Sequence, residues 1–326
     1  MMTDSQSPLD PSTSEIGSSI ADLPPTESKP PSNVPSTFLF GPEGLRSGWG
    51  FFLYLALAIA LVVFAQKGLS PLLHGLKGTL WSGMISRVVV MLCAMLPAVA
   101  MAKLEKRTFG AYGLPPRGAF GKKFWYGVIW GFVALSALLL AMRGAHVFYF
   151  GAVGLHGLRV LKFAAFWGVS FLLVGFFEEF LFRGYTLFTL SRGIGFWPAA
   201  VALSLLFGGV HLGNQGESWI GAAAAGAIGL FFCLTVRRTG TLWFAVGLHA
   251  SWDWAESYFY GVPDSGEMVH GHLLNPSFHG PVWLTGGSVG PEGSLLVFVV
   301  IAALFVAFHL LYPVSTSAQL TADSSR

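Results

Sequence analysis

What most constrains this chain is a series of apolar stretches, each close to the length needed to cross a bilayer. A helix rises about 1.5 Å per residue and the hydrocarbon core of a membrane is about 30 Å thick, so roughly twenty apolar residues are enough. About eight stretches approach that length, around 49–64, 88–101, 124–142, 163–190, 196–212, 219–236, 242–258 and 295–312. Charge is correspondingly scarce: 11% of the 326 residues are charged and 53% are hydrophobic, whereas a soluble domain carries about 25% charged residues. The sequence therefore reads as an all-α, polytopic transmembrane helical bundle, an integral multi-pass protein expected in a bacterial plasma membrane. The lipid bilayer is its first partner. A net charge of +3 gives no reason to expect nucleic acid as another.

Residues 1–37 are rich in Pro, Ser, Thr and Asp and lack apolar periodicity, which predicts a disordered tail. No basic segment leads directly into an apolar one there, so a cleaved signal peptide is not expected. Lys103, Lys106, Arg107, Arg117, Lys122 and Lys123 fall between the second and third spans. Arg192, then Arg237 and Arg238, fall in the next alternate connections. By the positive-inside rule these connections, and both termini, lie in the cytoplasm. Gly221, Ala225 and Gly229, with Ala222 and Gly226 beside them, give the sixth span a small-residue face for close helix packing. Cys93 and Cys233 sit in apolar runs and read as packing residues. The Gly- and Pro-rich stretch 261–292 reads as a long non-cytoplasmic loop whose His270, His272 and His279 are solvated.

Ionisable side chains inside membrane helices are costly and mark functional sites by default. The fourth span carries Glu178, Glu179 and Arg183. Glu179 and Arg183 are four apart, share a helix face, and can pair. Glu178 points elsewhere and has no local cation, as expected of a general base. The fifth span ends at His211, with Phe207 one turn earlier. The seventh carries His249 and Asp253, also four apart, so Asp253 can orient the imidazole. Counted from the cytoplasmic ends, Glu178, His211 and His249 lie roughly 20, 22 and 14 Å deep and Asp253 about 20 Å. Independent structural residues on three helices have no reason to share one layer.

These motifs, Glu178-Glu179-x-x-x-Arg183, Phe207-x-x-x-His211 and His249-x-x-x-Asp253, resemble those of the CAAX-processing and bacteriocin-processing (CPBP, or Abi) intramembrane endopeptidases. The resemblance implies a catalytic core at 163–257, preceded by transmembrane helices in 38–162 and followed by a loop, a last helix and a short tail in 258–326. It implies hydrolysis of a peptide bond in a membrane-associated protein or peptide. Glu178 and His211 would activate water. His249 and Asp253 would support the oxyanion or complete a metal site, and Glu179 and Arg183 would order the site and hold substrate. The family is described both as metalloproteases and as glutamate-dependent proteases, so Zn2+ held by Glu178, His211 and His249 and metal-free glutamate catalysis both stay open. Prenyl-protein proteases of the family usually carry Asn where this chain has Asp253, which points Asp253 towards His249 or a metal. Other readings of the same residues are a proton-coupled transporter, which would be expected to show inverted repeats, and a non-catalytic immunity or scaffold protein.

Overall fold

The computed structural model describes residues 39–41, 44–214 and 216–313. The expected tail at 1–37 lies outside them, as does the C-terminal tail. The described chain is a helical bundle. Its principal helices are α1 (Ser47–Gly75), α2 (Leu80–Leu104), α3 (Lys122–Gly144), α4 (Leu158–Arg183), α5 (Tyr185–Ile194), α6 (Phe196–His211), α7 (Trp219–Thr239), α8 (Trp243–Trp254) and α10 (Leu296–Leu311), with a single turn, α9 (Val282–Thr285), before the last. Five helical stretches are long and apolar enough to cross a membrane: α1, α2, α3, α4 continued by α5, and α7. α6 and α10 are shorter apolar helices, and α8 runs on through a π-helical segment, Ala255–Tyr260. The eight expected spans are thus present as helices. The first two extend well beyond their apolar cores, because Trp, Gln and Lys continue a helix after hydropathy has fallen.

The fourth span is not one helix. α4 stops at Arg183, Gly184 leaves helical geometry at φ −83°, ψ −117°, and α5 restarts at Tyr185. Thr186 Oγ1 donates to Leu181 O at 2.6 Å, satisfying a carbonyl freed by the break. α5 then lies at the basic end of the bundle. There Glu105 accepts from Tyr185 Oη at 2.6 Å, Tyr112 Oη at 3.1 Å and Arg192 Nη1 at 3.3 Å. Lys123 Nζ donates to Thr239 O at 2.6 Å. The connections singled out by their Lys and Arg residues therefore do gather at one end.

α8 is the axis of the molecule. Trp243 to Leu248 and Ala250 to Asp253 are all buried, as expected of a helix apolar on every side. It belongs to both large cores: Phe244, Ala245, Leu248 and Trp252 to one, with α3, α7 and α10, and Trp243 and Val246 to the other, with α2, α4 and α6. α3 reaches it by glycine contact. A Cβ at Gly127 would strike Phe244 O, one at Gly131 would strike Leu248 O, and one at Gly247 would strike Phe124 O. On the other side of the bundle, Gly208 of α6 lies against the backbone of Ala222 and Gly226 in α7, so the small-residue face of that span does pack a neighbour. Cys93 and Cys233 are free and buried. Large apolar side chains such as Phe52, Ile59, Phe64 and Leu205 point outward, each more than 60% exposed, the surface a lipid environment covers.

The expected solvated loop is a folded cover. Its strand β2 (Leu274–Phe278) pairs antiparallel with β1 (Phe148–Val153), with Phe148 opposite Phe278 and an irregularity between Tyr149 and Ala152. His272 Nδ1 donates to Leu274 O at 2.7 Å, and the Trp167 indole holds His270 O at 3.0 Å. The loop is ordered because its backbone groups find partners in β1, α4 and the π-helical turn, which composition alone does not disclose. Gly247→Val is expected to lower the thermal unfolding midpoint of detergent-purified protein, by overpacking worth about 1–3 kcal/mol or more. A change at an outward position such as Leu205→Val should leave that midpoint nearly unmoved.

Candidate active site

The site is built where α4, α6, α7 and α8 meet beneath the cover. A cavity of about 460 Å³ is lined by Glu178, His211, Asn214, Glu217, His249, Asp253, Asp264, Glu267 and Glu292, with Arg87, Phe171, Phe207 and Phe232 among its other walls. Four of the six residues expected from sequence, Glu178, His211, His249 and Asp253, face this one space. The other two, Glu179 and Arg183, lie behind it with side chains 0% exposed.

Those two hold the site together. Arg183 Nη1 donates to Glu179 Oε1 at 3.2 Å, and the same oxygen accepts from His249 Nδ1 at 2.8 Å. The guanidinium lies over the Phe207 ring at 4.1 Å and near Phe232 at 5.4 Å, a cation–π setting that eases its burial. Gly229 makes room for it: a Cβ there would stand 2.5 Å from Arg183 Nη2. The sixth span's small-residue face thus also accommodates the buried charge. Both side chains are closed off from the cavity, and Glu179 reaches it only through its bond to His249.

His249 is surrounded by acids. Beyond its bond to Glu179, its Nε2 stands 3.7 Å from Glu178 Oε2 and 3.6 Å from Asp253 Oδ2, and its ring stacks on Phe232 at 5.4 Å and 13°. Glu178 and Glu179 leave α4 in different directions yet reach the same imidazole, one at each nitrogen. His211 is set differently. Its Nδ1 lies 2.7 Å from Phe207 O, and since a carbonyl only accepts, Nδ1 carries the hydrogen, which in the neutral imidazole leaves the lone pair on Nε2. The Phe207 ring meets the His211 ring edge-on at 4.5 Å, so Phe207 holds His211 with both backbone and side chain.

The triplet Glu178, His211 and His249 does not converge as a metal site. Among the described residues, the one group of three His, Cys, Asp or Glu side chains with donor atoms all within 4.8 Å is Glu256, Asp264 and Glu292. Zinc takes its ligands at about 2.0–2.3 Å, and His249 Nδ1 is already committed to Glu179. The residues present do not fit zinc in this arrangement.

Sequence reasoning missed Glu217, Asp264 and Glu292. Glu217 Oε1 accepts from Ser218 N at 2.7 Å, next to the Ser218 cap of α7, so in sequence it reads as a residue of a helix start. Burial pushes its carboxyl up, and the Ser218 amide and then His211 partly offset this. Asp264 and Glu292 sat in the supposed solvated loop. Ser257 Oγ donates to Asp264 Oδ2 at 3.1 Å, and Trp252 Nε1 and Ser265 Oγ each donate to Glu292 at 3.0 Å. The one available signal was the carboxylates themselves, in a chain with only 16 Asp and Glu residues.

Residues 160–255 match the family described as type II CAAX prenyl endopeptidase Rce1-like, in agreement with the resemblance read from the three motifs, which lie within that segment. No curated protein and no solved structure matches the chain significantly.

Removing one partner of a buried pair leaves an uncompensated charge, at a cost of about 3–5 kcal/mol. Arg183→Met is therefore expected to destabilise the purified protein by that amount in equilibrium unfolding. The double variant Glu179→Gln/Arg183→Met should recover part of the loss.

Proposed function

We propose that this protein is an endopeptidase that hydrolyses a peptide bond in a membrane-associated protein or peptide, using water activated by Glu178 and His211. The observation that carries the reading is that Glu178 and His211, whose Nε2 lone pair is free, both line one cavity, each able to accept a proton from water. Glu178 takes that proton as the water oxygen attacks the scissile carbonyl carbon, and later delivers it to the leaving amine. His249, fixed by Glu179 and flanked by Asp253, offers its Nε2 hydrogen to the oxyanion. Such preorganised donors act most strongly where bulk water is excluded. Asp253 orients His249, a role that suits a carboxylate better than the amide usual in prenyl-protein proteases.

This route uses the chain's own residues and belongs to the glutamate type. A proton relay in a transporter would use the same residue types, but the match to a peptidase family over 160–255 supports hydrolysis. Glu178→Gln and His211→Ala are each expected to slow cleavage of a membrane-delivered reporter peptide by about 10²–10⁴-fold, followed by mass spectrometry of the products. Full activity in both variants would overturn the reading. 1,10-Phenanthroline, which strips transition metals, is expected to leave the wild-type rate unchanged, and its loss would return the chemistry to a metalloprotease.

A further inference from the structure

We propose that Glu256, Asp264 and Glu292 form a binding site for a hard divalent cation such as calcium, with ligands distinct from Glu178, His211 and His249. One donor atom from each of the three lies within 4.8 Å of the others. Oxygens sharing one calcium ion at about 2.4 Å stand at most about 4.8 Å apart. The donor set is all carboxylate, which suits calcium rather than zinc.

A cluster of acids alone would not carry this. The second observation is Glu256 itself. Its side chain is 0% exposed, and among the described residues neither carboxylate oxygen has a hydrogen-bond partner. Its neighbours' donors are committed elsewhere: the Trp252 indole hydrogen goes to Glu292 Oε1 and the Ser257 hydroxyl to Asp264 Oδ2. A buried carboxylate with both oxygens orphaned is costly, and two more acids beside it raise the cost. His249, which lines the same cavity, is already shared by Glu178, Glu179 and Asp253. Arg87 faces Glu267 at 4.0 Å. A divalent ion supplies the missing charge and the missing ligands together.

The position gives such an ion a consequence. Glu256 sits in the π-helical turn after α8, a deviation that recurs at functional sites. Asp264 and Glu292 come from the two ends of the cover, which Gly266 N already joins to Val289 O at 3.0 Å. Asp264 and Glu292 also line the cavity, so an ion has a way in. Bound there, it ties the cover to α8, one turn from Asp253, and holds the roof of the site closed.

The test uses the full-length protein in nanodiscs, freed of divalent ions with EGTA. Terbium luminescence under tryptophan excitation reads binding, with calcium as competitor, and the thermal midpoint is followed with and without calcium. The wild type is expected to bind saturably, with calcium displacing terbium and raising the midpoint. Glu256→Gln, and independently Glu292→Gln, should weaken calcium by at least about tenfold, whereas Glu178→Gln should bind as the wild type does. That last arm separates this site from the proposed hydrolysis, since it does not depend on cleavage. Absence of saturable calcium binding in the wild type, unchanged binding in both Glu256→Gln and Glu292→Gln, or loss of binding in Glu178→Gln would each overturn the proposal.

Discussion

Glu179 Oε1 accepts from Arg183 at 3.2 Å and from His249 at 2.8 Å, and the helices that line the cavity are arranged around that oxygen. A carboxylate and a guanidinium at 0% exposure in an apolar bundle are tolerated only when they are paired. The bond from His249 to Glu179 then ties α8 to α4. The pair also dictates its surroundings: Phe207 supplies a ring face for the guanidinium, and Gly229 on α7 leaves the space for it. Three helices are thereby registered against one ion pair, and His249 is oriented by a side chain that lies behind the cavity.

The two adjacent glutamates differ because the helix turns about 100° between them. Glu179 faces inward and becomes structure. Glu178 faces the cavity, 23% exposed, and keeps an oxygen free for water. His211 reaches the same cavity from α6, with its tautomer set by Phe207 O. Peptide hydrolysis within a membrane needs a polar, wet space walled by apolar helices, and the cover formed by 261–292 closes that space on one side with Asp264, Glu267 and Glu292. That segment makes the site an enclosure. The helices alone would leave a groove.

Much of this was legible in the sequence. The length of the apolar runs settles a helical membrane bundle, since no other arrangement satisfies the backbone of so many apolar segments. Four-residue spacing puts Glu179 with Arg183 and His249 with Asp253, and depth along each helix brings Glu178, His211 and His249 to one layer. These are local properties of helix geometry. The break at Gly184 was less visible, because Phe, Leu and Thr continue on both sides of it and hydropathy does not register a change of ψ. Asp264 and Glu292 were not visible at all. They lie 8 and 36 residues beyond Glu256 in a stretch whose composition is that of a solvated loop, and only its pairing with β1 folds it back over the site.

The sequence by itself thus determined the class of fold, the helices that carry charge, and which neighbours on one helix would meet. Tertiary structure alone decided that His249 bonds to Glu179 across two helices, that Arg183 is enclosed by Phe207 and Phe232, and that Asp264 and Glu292 converge on Glu256. The reason is physical. Periodicity along a helix is set by the backbone and can be read from spacing, whereas contacts between helices depend on how closely their surfaces approach, and here glycines at 127, 131, 208, 229 and 247 set that approach.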